Sequence, residues 1–141
     1  MAKFQLISQF LKDFSFESPN VPELFFKQEN GQAKMDINLD IQIKGTENNI
    51  YMVDLLTKLH TKLDEKDKSM FMIESTYSGL VQIEKSENEE DLKKTLLIEV
   101  PKLLFPSVRA IILRITGESG FPPFAMQQID FEKLYEEKNK K

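Results

Sequence analysis

The strongest constraint on the fold is the strict alternation of apolar and polar residues between Met35 and Ile43. Every second residue is apolar, and the residues between them carry carboxylate or amide side chains. Because successive side chains of a β-strand point to opposite faces of a sheet, this pattern indicates a strand with one buried and one solvated face. A chain with such a strand must build a sheet and must cover one side of it.

The same period of two recurs in three other segments, at about residues 3–18, 51–63 and 69–84. In the first segment the apolar residues of one parity are Phe4, Leu6, Phe10, Phe14 and Phe16. Pro19 and Pro22 follow it, so the strand cannot continue and the chain leaves as a proline-rich crossover loop. Because sequential strands usually pair, the economical topology is a four-stranded antiparallel meander.

The apolar period changes after the fourth strand. Ser86 and Glu89 have the spacing of a capping box, which predicts a short helix that ends near Pro101. A longer helix is expected to begin between Pro101 and Pro106, because proline suits the first turn of a helix.

The end of the chain predicts a last short helix with Asp130 as its cap, followed by a basic tail at 138–141. Strands at about 3–85 followed by helices at about 87–138 indicate an α+β fold. With 141 residues and no long linker, the sequence predicts a single domain, 1–141.

The long helix is apolar over more than one side. The residues that predict an interface are Val108, Ile111, Ile112 and Ile115. A helix covered by its own sheet on one face does not need this breadth, so we expect a second face to be buried between subunits.

Composition excludes several classes of function. The chain has no cysteine, which excludes thiolate metal sites and fits a reducing cytoplasm. Its net charge of −4 argues against nonspecific nucleic-acid binding, and no apolar run approaches the roughly 18 residues of a membrane span.

Catalytic patterns are also missing. The only histidine, His60, lies in a strand among polar neighbours, and there is no phosphate-binding glycine loop. Asp36 and Asp40 share a strand face, but their polar flanks favour solvated carboxylates over an acid/base pair. We therefore expect a cytoplasmic protein that is not an enzyme, without cofactor, metal or direct membrane insertion.

The segment 12–26 has two distinct surfaces. In an extended conformation Asp13 and Glu17 lie on one side of the strand, and Phe14 lies on the other. The following loop carries three large apolar residues, 24–26, where a solvated loop is normally polar. An acidic strand face beside an apolar loop is typical of a protein that binds other proteins.

Three ordered blocks carry a family resemblance: Lys-Asp-Phe-Ser-Phe-Glu-Ser-Pro-Asn-Val-Pro at 12–22, Leu-Phe-Pro-Ser-Val-Arg at 104–109, and the segment 120–131. With them the chain resembles the SecB family of bacterial protein-export chaperones over essentially its whole length. Gln128 stands where the family usually has proline, Ser78-Gly79 replaces paired glycines, and the tail is basic where family tails are commonly acidic.

The resemblance implies an ATP-independent holdase for unfolded secretory precursor proteins, assembled as a homotetramer, a dimer of dimers. It also implies a partner, the export motor SecA, whose zinc-binding C-terminal segment docks on the acidic sheet face. The docking residues carried over are Asp13, Glu17, Met72 and Glu74. Period two independently places the first two on one strand face and the last two on another.

The resemblance further implies a client groove beside the crossover loop. The residues placed there are Pro19, Val21, Pro22, Leu24, Phe25, Phe26, Phe121, Phe124 and Met126. An alternative for Phe25 and Phe26 is that they only pin the loop to the sheet.

Two other functions remain open from sequence. One is a SecB-like chaperone dedicated to a specific client, such as an antitoxin. The other is a small-ligand-binding α+β domain, which the lack of convergent polar groups disfavours.

Overall fold

A computed structural model describes residues 3–26, 33–63, 68–84 and 88–139. Within these ranges the strands are β1 (Phe4–Glu17), β2 (Ala33–Gly45), β3 (Ile50–Leu63) and β4 (Lys68–Ile83). The helices are α1 (Glu23–Phe26), α2 (Glu89–Lys94), α3 (Val100–Glu118) and α4 (Phe131–Asn139), and a π-helical turn, Thr95–Glu99, joins α2 to α3. The predicted α+β fold with a four-stranded antiparallel sheet is confirmed.

The strands lie in the order β1-β4-β3-β2. Strands β2, β3 and β4 form a meander, but β1 pairs with β4 and not with β2. The expectation that all sequential strands pair is therefore wrong for the first connection. The two prolines after β1 end its ladder, and the chain passes to the opposite edge of the sheet before β2 begins.

Two irregularities in β1 change which side chains face the helices. The pairing with β4 shifts between Leu6 and Ser8, and it shifts again between Leu11 and Asp13. Between these bulges the parity is reversed, so Phe10 lies opposite Ser78 on the sheet face turned away from the helices, hereafter the free face. The prediction that Phe10 shares a face with the other phenylalanines of β1 is wrong for this reason.

Helix α3 covers the other face of the sheet at very close range. A Cβ atom on Gly79 of β4 would lie 2.9 Å from Cδ2 of Leu104, whose side chain is fully buried. Glycine at this position therefore permits the close approach of helix to sheet. The core also contains Thr57 and Thr61 of β3, whose buried hydroxyls have no hydrogen-bond partner among the described residues.

The helical region differs from the prediction in two ways. Asn88 caps α2, since its side chain accepts a hydrogen bond from the N–H of Glu90 at 2.9 Å, whereas Ser86 lies outside the described residues. The helical run does not stop at Pro101, because the π-helical turn Thr95–Glu99 leads directly from α2 into α3 and Pro101 continues in helical conformation.

Helix α4 is held at both ends. The N–H of Lys133 donates to Oδ1 of Asp130 at 3.1 Å, which confirms the predicted cap. Lys138 lies 2.9 Å from Asp40 on the edge strand β2, and its hydrogen bond lowers the pKa of that carboxyl below the ordinary value. In the described part of the chain no helix is long and apolar enough to cross a membrane.

Candidate protein-binding surfaces

The four residues predicted to dock SecA lie together on the free face. Across the β1–β4 ladder Glu17 is opposite Met72, and Glu74 is opposite Ser15, two pairs further along and on the same face. Asp13 follows at the next pair on the same face, opposite a threonine of β4. The three carboxylate residues are exposed and Met72 is half-buried. We call Asp13, Glu17, Met72 and Glu74 the acidic strip.

The strip borders a more mixed surface on β3. Lys58 lies opposite Glu74, and His60 lies opposite Met72 with its Nε2 3.0 Å from the Ser69 hydroxyl. A depression of about 260 Å³ runs over this border and reaches Asp36 on β2. The carboxylates of the acidic strip therefore lie beside a border where basic and acidic side chains alternate.

Two polar side chains anchor the start of the crossover loop, and sequence reasoning missed both. The hydroxyl of Ser18 donates to the carbonyl of Met70 at 2.8 Å, and the side-chain amide of Asn20 donates to the carbonyl of Ser69 at 2.8 Å. Ser, Pro and Asn are ordinary loop residues, so only the tertiary structure reveals that these two fix the loop to β4.

A chain of aromatic rings fixes the crossover loop at Phe25. Phe16 stacks on Phe71 at 5.9 Å between ring centroids, Phe71 contacts Phe121 at 5.2 Å, and Phe121 contacts Phe25 at 5.3 Å. Phe25 is 48% exposed, whereas Phe26 is 80% exposed. Phe25 therefore pins the loop while keeping half of its surface open, and Phe26 does not pin it.

The other predicted groove residues differ in accessibility. Pro19 and Pro22 are exposed, and the half-buried ones are Val21, Leu24 and Phe124. Phe121 and Met126 are only 6% and 1% exposed, so they belong to the core. We call Pro19, Pro22, Phe25 and Phe26 the crossover surface, because these members of the predicted groove are open.

The predicted interface residues on α3 also divide into two groups. Val108 and Ile112 are buried within the chain's own core, while Ile111 and Ile115 are half-buried. The large exposed apolar residues of α3 are Leu103 and Leu113. Two of the four residues predicted to form an interface are therefore buried within the chain's own core, and only the other two keep part of their surface open.

Further clefts lie elsewhere. A cleft of about 450 Å³ separates α2 and the π-helical turn from α4, and another of about 320 Å³ lies between β2 and α4. Neither is lined by the crossover surface or by the acidic strip. Over the described ranges, no group of three or more His, Asp or Glu side chains is placed to hold a metal ion.

The fold and these surfaces define an α+β protein whose candidate sites are open, polypeptide-sized surfaces on a sheet and its crossover loop. The family model described as preprotein translocase subunit SecB matches residues 1–141. The chain therefore belongs to the SecB family.

Relatives from two bacteria agree with this assignment. The chain is 37% identical over 134 residues to the protein-export protein SecB of Caulobacter vibrioides, covering 95% of this chain and 80% of the relative. It is 35% identical over 128 residues to that of Rhodospirillum centenum, covering 91% and 74%.

A solved structure shares the fold at low sequence identity. It is the SecB-like chaperone Rv1957 of Mycobacterium tuberculosis in complex with a peptide from an antitoxin. The TM-score is 0.72 at 14% identity, over 89% of this chain and 90% of that one.

Proposed function

We propose that this protein is an ATP-independent holdase that binds unfolded precursor proteins and delivers them to the SecA motor. The observation that carries the proposal is the placement of two different exposed surfaces, one acidic and one apolar, on opposite sides of the same end of the sheet. Membership of the SecB family supports it, since the relatives are named protein-export proteins.

The acidic strip is the proposed docking site for the zinc-binding C-terminal segment of SecA. Its three exposed carboxylates lie on two adjacent strands, and Met72 supplies a half-buried apolar contact between them. Such a patch steers a basic partner at long range and is weakened by salt.

The crossover surface is the proposed start of the client groove. Phe26 offers a large exposed ring, and Phe25 offers the open half of a ring whose other half is packed. Val21, Leu24 and Phe124 lie beside it with part of their surface open. An exposed apolar surface on a loop that is anchored to the sheet at its start binds extended apolar segments without requiring one sequence.

We also propose that the protein acts in the cytoplasm, without a cofactor or enzymatic activity, as a dimer of dimers. The exposed residues Leu103 and Leu113 give the outward face of α3 an apolar surface for a second chain, and the half-buried Ile111 and Ile115 lie on its flank. Covering this face in an oligomer would remove apolar surface from water.

The holdase activity is tested with a urea-unfolded precursor diluted into buffer with or without the protein. We expect a soluble complex and suppressed aggregation in the absence of ATP. The control is the same precursor after folding, which should not bind. Equal, weak binding of the folded and unfolded forms would refute the proposal.

A second candidate is a chaperone dedicated to one client. The observation that favours it is the structural neighbour, which is a SecB-like chaperone bound to an antitoxin peptide. Binding measured against several unrelated unfolded precursors separates the two. A general export chaperone binds most of them with similar affinity, and a dedicated one binds none of them well.

A further inference from the structure

On the free face, Lys12, Asp54 and Ser78 form a polar cluster that connects β1, β4 and β3. The Lys12 ammonium lies 3.5 Å from Oδ2 of Asp54, and the Ser78 hydroxyl donates to Oδ1 of the same carboxylate at 2.5 Å. Asp54 is 8% exposed and Ser78 is fully buried, although both lie on the free face. A carboxylate so far removed from water needs partners, and these two supply them.

We infer that this cluster, hereafter the clasp, positions the side chains of the acidic strip. The inference rests on the proposed docking of SecA to that strip. The clasp acts at the second bulge of β1. Lys12 is the residue without a partner in the β1–β4 register, between Leu11 opposite Tyr77 and Asp13 opposite Thr76. It is therefore a positioning residue for the carboxylate that follows it.

The register shows what the extra residue does. Before the bulge, Leu11 pairs with Tyr77, whose side chain lies in the core. If that pairing continued without a shift, Asp13 would lie opposite Ser75 and would point toward the helices. The inserted residue restores the parity and turns Asp13 and Glu17 to the free face.

A bulge on an edge strand needs something to hold it, because it interrupts the ladder. The Lys12 side chain crosses β4 and ends at Asp54 on β3, so the ion pair ties the bulge to the interior of the sheet. The Ser78 hydroxyl fixes the carboxylate from β4. Gly79 retains the role of admitting α3, so the serine is accommodated on the opposite face.

Two substitutions break the clasp, Lys12→Met and Asp54→Asn. The conservative variant Lys12→Arg keeps the positive charge and serves as the control for both. The chain has no cysteine, so Ser15→Cys in each background gives a single thiol on the free face between Asp13 and Glu17. We expect Lys12→Met and Asp54→Asn to slow maleimide labelling of this thiol, and Lys12→Arg to retain the parent rate. An unchanged rate in both clasp variants would overturn the inference.

Affinity is the second readout, measured without the added thiol. The probe is the isolated zinc-loaded SecA segment, and we expect the two clasp variants to bind it about threefold to tenfold more weakly. Binding of an unfolded precursor should stay unchanged in the same samples. Unchanged segment affinity in both variants, while Glu74→Lys still weakens it, would also refute the clasp.

If Glu74→Lys itself leaves segment affinity unchanged, the proposed docking site fails. The labelling rate then decides the clasp by itself, because it reports the orientation of β1 and needs no partner.

Discussion

Phe16 and Glu17 are adjacent in the chain, yet their side chains lie on opposite faces of the sheet. Phe16 is opposite Ile73 of the core and stacks on Phe71, whereas Glu17 is opposite Met72 on the free face. The same end of β1 therefore holds the crossover surface through its core side and presents the acidic strip on its other side. Two partners can reach this end of the sheet from different directions.

Replacing the two phenylalanines of the crossover surface by small residues should have different effects on stability and on client affinity. Phe26→Ser removes a ring that is 80% exposed, so we expect the unfolding free energy to stay within about 0.5 kcal/mol of the parent. Client affinity should fall about tenfold, since burial of one large apolar side chain is worth about 1.5–3 kcal/mol. Phe25→Ala should cost about 1–2 kcal/mol of stability, because its ring packs on Phe121.

Urea unfolding and precursor binding measure these two effects on the same samples. Loss of stability without loss of client affinity in Phe26→Ser would contradict the assignment of this residue to the client surface.

Gly120 is required at the start of the loop after α3. Its φ is +89°, and a Cβ atom there would lie 3.0 Å from Cζ of Phe25. Gly120→Ala should therefore lower the unfolding free energy by about 1–2 kcal/mol and loosen the crossover loop. Gly45→Ala is the matched control, because its Cβ would lie 3.6 Å from the Tyr51 ring, an ordinary contact. Equal stability of the two variants in urea would disprove this account of Gly120.

Thr57 and Thr116 are both fully buried, but replacing each of them by valine should change the stability in different ways. Within the described ranges the hydroxyl of Thr57 has no hydrogen-bond partner, so Thr57→Val should leave stability unchanged or raise it by about 1 kcal/mol. The Thr116 hydroxyl donates to the Ile112 carbonyl at 2.8 Å and accepts from the N–H of Phe124 at 2.9 Å. Thr116→Val should cost about 1–2 kcal/mol. Thermal unfolding of both variants checks the sign, and a destabilised Thr57→Val would show that its hydroxyl is bonded.

The Asp40–Lys138 pair should give a small stabilisation that depends on pH and salt. Both side chains are more than half exposed, so Lys138→Met should cost less than about 1 kcal/mol. Because the hydrogen bond from Lys138 lowers the pKa of Asp40 in the folded state, the contribution is complete above the ordinary carboxyl pKa. It is lost as the pH falls through the lowered value, and high salt reduces it.

Urea unfolding of the parent and of Lys138→Met across acidic pH measures this contribution. Lys133→Met removes the same charge from the same helix, away from Asp40, and serves as the control. A difference between parent and Lys138→Met that persists at low pH and high salt would rule out the ion pair as its cause.

The sheet was predictable because its strands alternate strictly. Met35 to Ile43 are opposite Thr61 to Val53, so the period-two pattern corresponds directly to the observed ladder. The acidic strip followed from the same rule once the family resemblance had singled out its four residues. The edge position of β1 was not predictable from alternation, because strand order depends on where the crossover loop carries the chain.

The other differences between the prediction from sequence and the structure come from the β-bulges of β1 and from the burial of α3 against the sheet. A single inserted residue reverses parity, so Phe10 points away from the core although its spacing from Phe4 and Phe14 is even. The burial of Val108 and Ile112 by the chain's own sheet depends on how closely α3 approaches β4, which Gly79 permits. Neither feature has a signal in the apolar pattern itself.

The central claim is that motor docking and client holding use separate surfaces of one sheet end. The most direct test adds the zinc-loaded SecA segment to a preformed complex of the protein with a labelled unfolded precursor. We predict a ternary complex that retains the precursor. With Glu74→Lys the segment should bind about tenfold more weakly while the precursor remains bound. Glu47→Lys, the same charge change in the β2–β3 turn, should behave as the parent does. Release of the precursor in proportion to bound segment, or equal loss of both partners in Glu74→Lys, would contradict the account.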